Sequence, residues 1–172
     1  MPILINTLQH EGGETWDTGG HTNYGVTQKT YDDYAKKSNI ASKNVKDLNF
    51  GEVKSIYQQE YYTKPGFDKI GSNKVAGVLF DYGVNSGTGK AVKDLQTIVG
   101  VKADGKIGKQ TLQAVDNFVN QYGEDFLAHQ ILNSRASNYI ELANKDKNKY
   151  GKYLNGWMNR ISKLKEQYGL NG

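Results

Sequence analysis

The segment "KVAGVLFDYGVNSG", Lys74–Gly87, is apolar on nearly every side when it is drawn as a helix. A helix that is apolar all round belongs in the middle of a domain. The pattern therefore predicts a central, buried helix. Its polar members Asp81 and Asn85 are four residues apart and share one face. They either hydrogen-bond ligand groups in a cleft or satisfy backbone groups of the Gly-rich loop opposite.

The sequence on both sides of this segment also has helical periodicity. Thr27 is a candidate N-cap for a helix over Val26–Lys37, and Asn49 with Glu52 resembles a capping box. The one place for strands is a hairpin within Glu14–Gly25. We therefore predict an all-α, mainly helical class with a small β-hairpin flap near residues 14–25, and two lobes around a cleft. Apolar residues also recur at helical spacing within 4–11, 53–61, 91–99, 112–122, 126–143 and 153–168.

Composition limits the chemistry that the chain can use. It has no cysteine, which excludes disulfides and thiolate metal sites. His10, His21 and His129 show no metal-ligand spacing, and we expect no metal and no cofactor. The formal net charge of +4 favours an anionic partner. The lysines are spread along the chain with no dense run, so we do not expect nucleic-acid binding.

Two expectations concern organisation and location. Gly87 and Gly89 interrupt the helices, which predicts a weak division into residues 1–88 and 89–172 packed as one unit. Met1–Leu8 is apolar but too short for the core of a signal peptide or for a membrane span. We therefore expect synthesis in the cytoplasm, no membrane insertion, and release through a pore or a secretion system if the protein acts outside. We expect a monomer.

The stretch "HEGGETWDTGGHTNYGVTQ", His10–Gln28, places the carboxyl group of Glu11 at the end of an apolar stripe and before two glycines. Burial and the unpaired carbonyls of a helix C-terminus both raise the pKa of a carboxyl group. A carboxylic acid that stays protonated near neutral pH can protonate a leaving oxygen. The alternative is a solvated residue at a helix end with Gly12 as its cap, and the spacing alone favours that alternative.

The runs "HEGG", "DTGGHTNYGVTQ", "LFDYGVNSG" and "LQTIVGVKADGKIGKQTLQAV" resemble the N-acetylmuramidases of glycoside hydrolase family 108. Those proteins are lysozyme-like peptidoglycan hydrolases of bacteria and phages. The resemblance implies that Glu11 is the general acid. It leaves the second catalytic role open between Asp17 and Glu14, with Thr27 positioning a water molecule. The candidate substrate-binding residues are Glu14, Trp16, Asn23, Tyr24, Gln28, Asp81 and Asn85. Asn23 and Tyr24 match a motif of the family, Glu14 stands where the family usually has Tyr, and Asp81 and Asn85 are candidates because they share a helix face.

Leu95–Val115 also resembles peptidoglycan-binding modules, although the same segment could simply complete the core. The resemblance implies a catalytic lobe over 1–88, a peptidoglycan-binding-like lobe over 89–172, and bacterial peptidoglycan as the partner. We expect a muramidase, either a phage endolysin or a bacterial wall hydrolase. The alternatives are a lytic transglycosylase that uses the same glutamate and a non-catalytic wall-binding protein.

Overall fold

The computed structural model describes residues 14–17, 20–23 and 25–170. By the distribution of its contacts the chain consists of two compact units, Met1–Lys64 and Pro65–Gly172. The boundary between the compact units therefore lies earlier in the sequence than the glycines at 87 and 89. The division into residues 1–88 and 89–172, and the cleft between two lobes, stay predictions.

The first unit begins with a small antiparallel sheet. Strands β1 (Glu14–Asp17), β2 (Gly20–Asn23) and β3 (Val26–Thr27) pair in the order β1-β2-β3. The predicted hairpin is confirmed, and β3 extends it by pairing Val26 with Asn23. Val26 is fully buried in this strand, so helix α1 begins two residues later than the sequence pattern predicts, at Gln28–Lys37.

The rest of the first unit is helical. A 3₁₀ turn at Val45–Asp47 leads to helix α2 (Phe50–Tyr57), which continues as a π-helical stretch over Gln58–Thr63. The capping box is confirmed, because Glu52 N donates to Asn49 Oδ1 at 3.0 Å and Asn49 N donates to Glu52 Oε2 at 2.8 Å. These two bonds satisfy two backbone donors that the first turn of a helix otherwise leaves unpaired.

The second unit is built around helix α3 (Asn73–Ser86), which follows a 3₁₀ turn at Phe67–Lys69. Every residue from 75 to 83 is buried, which confirms the predicted central helix. It packs against α4 and α6, and α6 packs against α5 and α8. The helices that surround it are α4 (Thr88–Ile98), α5 (Lys109–Tyr122), α6 (Glu124–Lys145), α7 (Lys147–Tyr150) and α8 (Leu154–Gln167), with a 3₁₀ turn at Gly151–Tyr153 before α8.

A glycine allows the close approach of α3 and α4. A Cβ atom at Gly83 would lie 3.1 Å from Thr88 Cγ2 and 3.4 Å from Phe67 Cε2, and such contacts are tighter than ordinary packing. Gly87 makes the sharp turn between the two helices at a φ of +91°, which glycine adopts at little cost. The mainly helical class is thus confirmed, and α3 and α4 form one packed pair within the second unit.

Candidate functional site

The predicted acid, Glu11, lies outside the described residues, as does Tyr24. Their roles stay predictions. The backbones of the other predicted residues in this region lie on the sheet. In the β1–β2 hairpin Asp17 is opposite Gly20, so Asp17 is at the turn end of the ladder. The remaining predicted residues on these two strands are Glu14, Trp16 and Asn23, with Glu14 opposite Asn23.

Thr27 and Gln28 begin helix α1, and their side chains hold the local backbone. Thr27 Oγ1 accepts a hydrogen bond from Thr30 N at 3.2 Å, which confirms the predicted N-cap. The Gln28 amide spans to the next loop: Nε2 donates to Lys43 O at 2.9 Å, and Oε1 accepts from Val45 N at 2.8 Å. These bonds give both residues a structural role, while their predicted contacts with water or substrate stay predictions.

Asp81 belongs to a buried cluster of charges in the second unit. It accepts hydrogen bonds from Arg135 Nη1 at 2.8 Å and from Arg160 Nη2 at 3.0 Å. Asp81 is 2% exposed and Arg135 is fully buried. The structure thus favours the structural interpretation of Asp81, and the partners seen for it within residues 25–170 include two arginines. Burial opposes the ionisation of Asp81, but the two guanidinium groups outweigh it and hold its pKa below the usual value.

A chain of hydrogen bonds leads from this cluster to the surface. Arg135 Nε donates to Tyr139 Oη at 2.8 Å, and Tyr139 Oη donates to Asn85 Oδ1 at 2.5 Å. Asn85 is exposed, one turn along α3 from Asp81. Within the described part of the chain, its amide nitrogen Nδ2 has no hydrogen-bond partner. Asn85 therefore presents a fixed amide whose donor side is available to a ligand.

Asn85 lies in a groove of about 540 Å³ on the second unit. This volume is in the range of small-molecule and cofactor sites. We call it the Trp157 groove; its lining residues are Tyr82, Asn85, Ser86, Lys90, Asn138, Tyr139, Glu141, Leu142, Lys145 and Trp157.

One side of the Trp157 groove is aromatic. The Trp157 ring stacks on Tyr139 with centroids 4.7 Å apart and an interplanar angle of 24°. Tyr153 stacks on the indole at 5.8 Å, and Tyr150 lies at 6.5 Å. Tyr139 is buried, whereas Tyr153 is 48% exposed. These four rings, the aromatic cluster, support one another and hold Trp157 in place.

A second polar network fixes the other side of the groove. Asp94 Oδ2 accepts from Tyr82 Oη at 2.5 Å and from Asn138 Nδ2 at 2.7 Å, while Lys90 Nζ donates to Asp94 Oδ1 at 2.7 Å. Burial and the Asp94 carboxylate raise the pKa of Tyr82 well above its usual value, so its hydroxyl stays neutral. Burial opposes the ionisation of Asp94, but Lys90 and its other donors lower its pKa overall.

Sequence reasoning singled out Asn85 as a candidate ligand-binding residue but missed three residues that line the groove from α6. Asn138, Leu142 and Lys145 recur at i, i+4 and i+7, so they share one helix face. The helical spacing of these three residues is evident in the sequence, but a face that mixes polar and apolar residues does not by itself indicate a binding site.

Across residues 14–17, 20–23 and 25–170, no group of three or more metal-ligating acidic or histidine side chains could hold an ion. Within those residues no helix is long and apolar enough to span a membrane.

The comparisons with known proteins agree with the predicted resemblance. The family model described as Glycosyl hydrolase 108 matches residues 4–87. These residues belong to glycosyl hydrolase family 108. A second model, described as Predicted Peptidoglycan domain, matches residues 90–162. The family prediction is confirmed, and the chain is a glycoside hydrolase that acts on peptidoglycan.

A solved structure, that of SagA from Brucella abortus, is also similar to this chain. The two share 27% sequence identity at a TM-score of 0.76. The match covers 97% of this chain and 91% of SagA. The likeness therefore extends over both compact units, and the mainly helical, lysozyme-like fold is as expected from the sequence. No curated protein sequence matches the chain.

Proposed function

We propose that the protein is an N-acetylmuramidase, which hydrolyses the β-1,4 bond between N-acetylmuramic acid and N-acetylglucosamine. The observation that carries the proposal is the family 108 match over residues 4–87, which includes the "HEGG" run and Glu11. The peptidoglycan domain over residues 90–162 supports the same polymer as substrate. On this proposal the enzyme works at the bacterial cell wall, which it reaches through a pore or a secretion system.

Glu11 is the proposed general acid. Its carboxyl group protonates the glycosidic oxygen as the bond breaks, and positive charge develops on the sugar ring in an oxocarbenium-like transition state. A second group must activate water or stabilise that charge. Asp17 is the proposed second group, with Glu14 as the alternative.

The sheet register supports the grouping of Asp17 with Thr27. Strand β2 pairs with both β1 and β3, and Thr22 lies opposite Thr15 on one side and Thr27 on the other. Asp17 is two residues beyond Thr15 along β1. The two proposed residues thus belong to one small sheet, and a water molecule held by the Thr27 hydroxyl would lie next to that sheet.

The test is the variant Glu11→Gln, which keeps the size of the side chain and removes its acidic proton. We expect the rate of digestion of purified peptidoglycan to fall by at least about 100-fold, because a general acid contributes roughly 10²–10⁴-fold. Glu166→Gln, an exposed glutamate on α8, is the matched control and should keep the wild-type rate. Circular dichroism melts of both variants check that each is folded.

The products identify the reaction. Mass spectrometry of the digest should show muropeptides with a reducing N-acetylmuramic acid end, each heavier by one water than the corresponding anhydro product. Anhydro ends would instead indicate a lytic transglycosylase that uses the same acid. A Glu11→Gln variant that digests walls at the wild-type rate would remove Glu11 from the mechanism.

A further inference from the structure

The Trp157 groove combines an aromatic wall with polar groups, which suits a ligand that has both kinds of surface. Trp157 and Leu142 contribute partly exposed apolar area to the groove. Asn85, Ser86 and Asn138 contribute amide and hydroxyl groups to it. A pyranose ring has an apolar C–H face that packs on aromatic rings and an edge of hydroxyl and acetamido groups that hydrogen-bond. A sugar therefore uses both surfaces at once.

The groove is held in shape before any ligand arrives. Tyr139 packs against Trp157, and its hydroxyl is hydrogen-bonded to Arg135 and Asn85. Asn138 donates to both Tyr82 and Asp94. Side chains that are already ordered lose little entropy when a ligand binds, which favours binding.

The charges around the groove favour a neutral ligand. Its charged lining residues are Lys90, Glu141 and Lys145. Lys90 is paired with Asp94, and Glu141 and Lys145 carry opposite charges on neighbouring turns of α6. The lining of the groove therefore carries little net charge, and Lys149 and Lys152 lie outside it, over the rings of Tyr150 and Tyr153. A lining of this kind favours the uncharged glycan over the acidic peptide stems of peptidoglycan.

We propose that the Trp157 groove is a carbohydrate-binding site that takes a neutral N-acetylated hexosamine ring of the glycan strand. The ring packs against the exposed part of Trp157, and Asn85 Nδ2 donates to its acetamido or hydroxyl oxygen. This inference builds on the proposed function, since both name the glycan of peptidoglycan, but it concerns binding by the second unit alone. It assigns a recognition role to residues that take no part in the proposed chemistry.

The two tryptophans of the chain, Trp16 and Trp157, allow a direct test. The full chain is labelled with ¹⁵N in the Glu11→Gln background and titrated with chitotetraose, a neutral β-1,4-linked tetramer of N-acetylglucosamine. Trp157→Phe assigns the two indole N–H signals. We expect the Trp157 signal to shift in a saturable manner, with a dissociation constant that changes little between low and high salt.

Single substitutions test whether the change in the Trp157 signal arises from binding in the groove. Trp157→Ala, measured by isothermal titration calorimetry, should weaken chitotetraose binding at least about tenfold, as the loss of a central aromatic anchor does. Asn85→Ala, at an exposed position, should weaken it about three- to tenfold through one lost hydrogen bond to the ligand. Tyr122→Ala is the control, because Tyr122 is 53% exposed on the same unit and does not line the groove.

The outcomes separate this inference from the proposed function. A Trp157 signal that does not move at saturating chitotetraose would overturn the inference, as would a shift of Trp16 alone. Saturable binding of an acidic stem peptide that shifts the Trp157 signal and weakens with salt, with no binding of chitotetraose, would assign the groove to an acidic ligand instead. The Glu11→Gln digestion assay does not depend on these binding measurements. The protein could therefore be a muramidase without binding sugar in the groove, or bind sugar there without being a muramidase.

Discussion

Asp81→Asn removes one negative charge from the buried cluster with Arg135 and Arg160 and keeps the size of the side chain. Arg135 has no exposed surface, so its charge would remain buried with no carboxylate to balance it. Breaking a buried ion pair by removing one partner costs about 3–5 kcal/mol. Against a typical total of roughly 5–15 kcal/mol, this loss leaves the second unit close to its limit of stability.

Urea denaturation followed by fluorescence measures the loss. Trp157 packs on Tyr139, which is hydrogen-bonded to Arg135, so its emission in a Trp16→Phe background reports unfolding of the second unit. We expect the free energy of unfolding at neutral pH to fall by about 3–5 kcal/mol in Asp81→Asn. The control is Asp125→Asn, because Asp125 is 61% exposed in its pair with Lys74 and its loss should cost at most about 1 kcal/mol.

The contribution of Asp81 to the stability of the folded state changes with pH in a direction that can be worked out. The folded state lowers the pKa of Asp81, so the wild type gains stability from this carboxylate above its unfolded pKa of about 4. As the pH falls through the folded pKa the carboxyl group takes up a proton and the gain is lost. The difference between wild type and Asp81→Asn should therefore shrink below about pH 4. The argument would be refuted if Asp81→Asn and Asp125→Asn lost the same free energy of unfolding. It would also be refuted if the difference in stability between the wild type and Asp81→Asn stayed the same in acid.

Two further predictions concern single side chains that hold turns. Thr27→Ala should lower the free energy of unfolding by about 1 kcal/mol, because the α1 N-cap is lost, and Thr27→Ser should restore the wild-type value. If Thr27 also positions a water molecule, the cleavage rate of Thr27→Ala should fall much further than its folded fraction. Gln96 is 1% exposed, and its amide accepts from Gly105 N at 2.8 Å and donates to Asp104 Oδ1 at 2.8 Å. Gln96→Leu removes these bonds and should lower the free energy of unfolding by about 1–3 kcal/mol, since each hydrogen bond contributes about 0.5–1.5 kcal/mol. Gln113→Leu, at an exposed site, should unfold at the wild-type temperature in the same thermal melt.

Features set by neighbouring residues could be predicted from the sequence. The capping box at Asn49 and Glu52 depends on two residues three positions apart. The central helix follows from a run that is apolar on nearly every side, and Gly87 marks its end. In each case the deciding interactions lie within one or two turns of the chain, where residue types and spacing determine them.

Features set by distant residues could not be predicted. Asp81 meets arginines 54 and 79 positions later, and no local pattern connects them. The dipeptide Asp104-Gly105 is typical of a turn, but no local pattern connects it to the buried Gln96, which holds it by two hydrogen bonds. The π-helical stretch over Gln58–Thr63 was also missed, because a short change in the hydrogen-bonding pattern does not clearly alter the spacing of apolar residues in the sequence.

The hydroxyl group of Tyr139 lies between the interior of the second unit and its surface. It accepts from Arg135 and donates to Asn85, so a change in the charged interior alters the anchoring of the outermost amide of the groove. The hydrogen bonds that stabilise the interior of the second unit thus continue into those that hold the proposed carbohydrate-binding groove. A substitution in the charged interior of the second unit should therefore change both its stability and the position of the Asn85 amide.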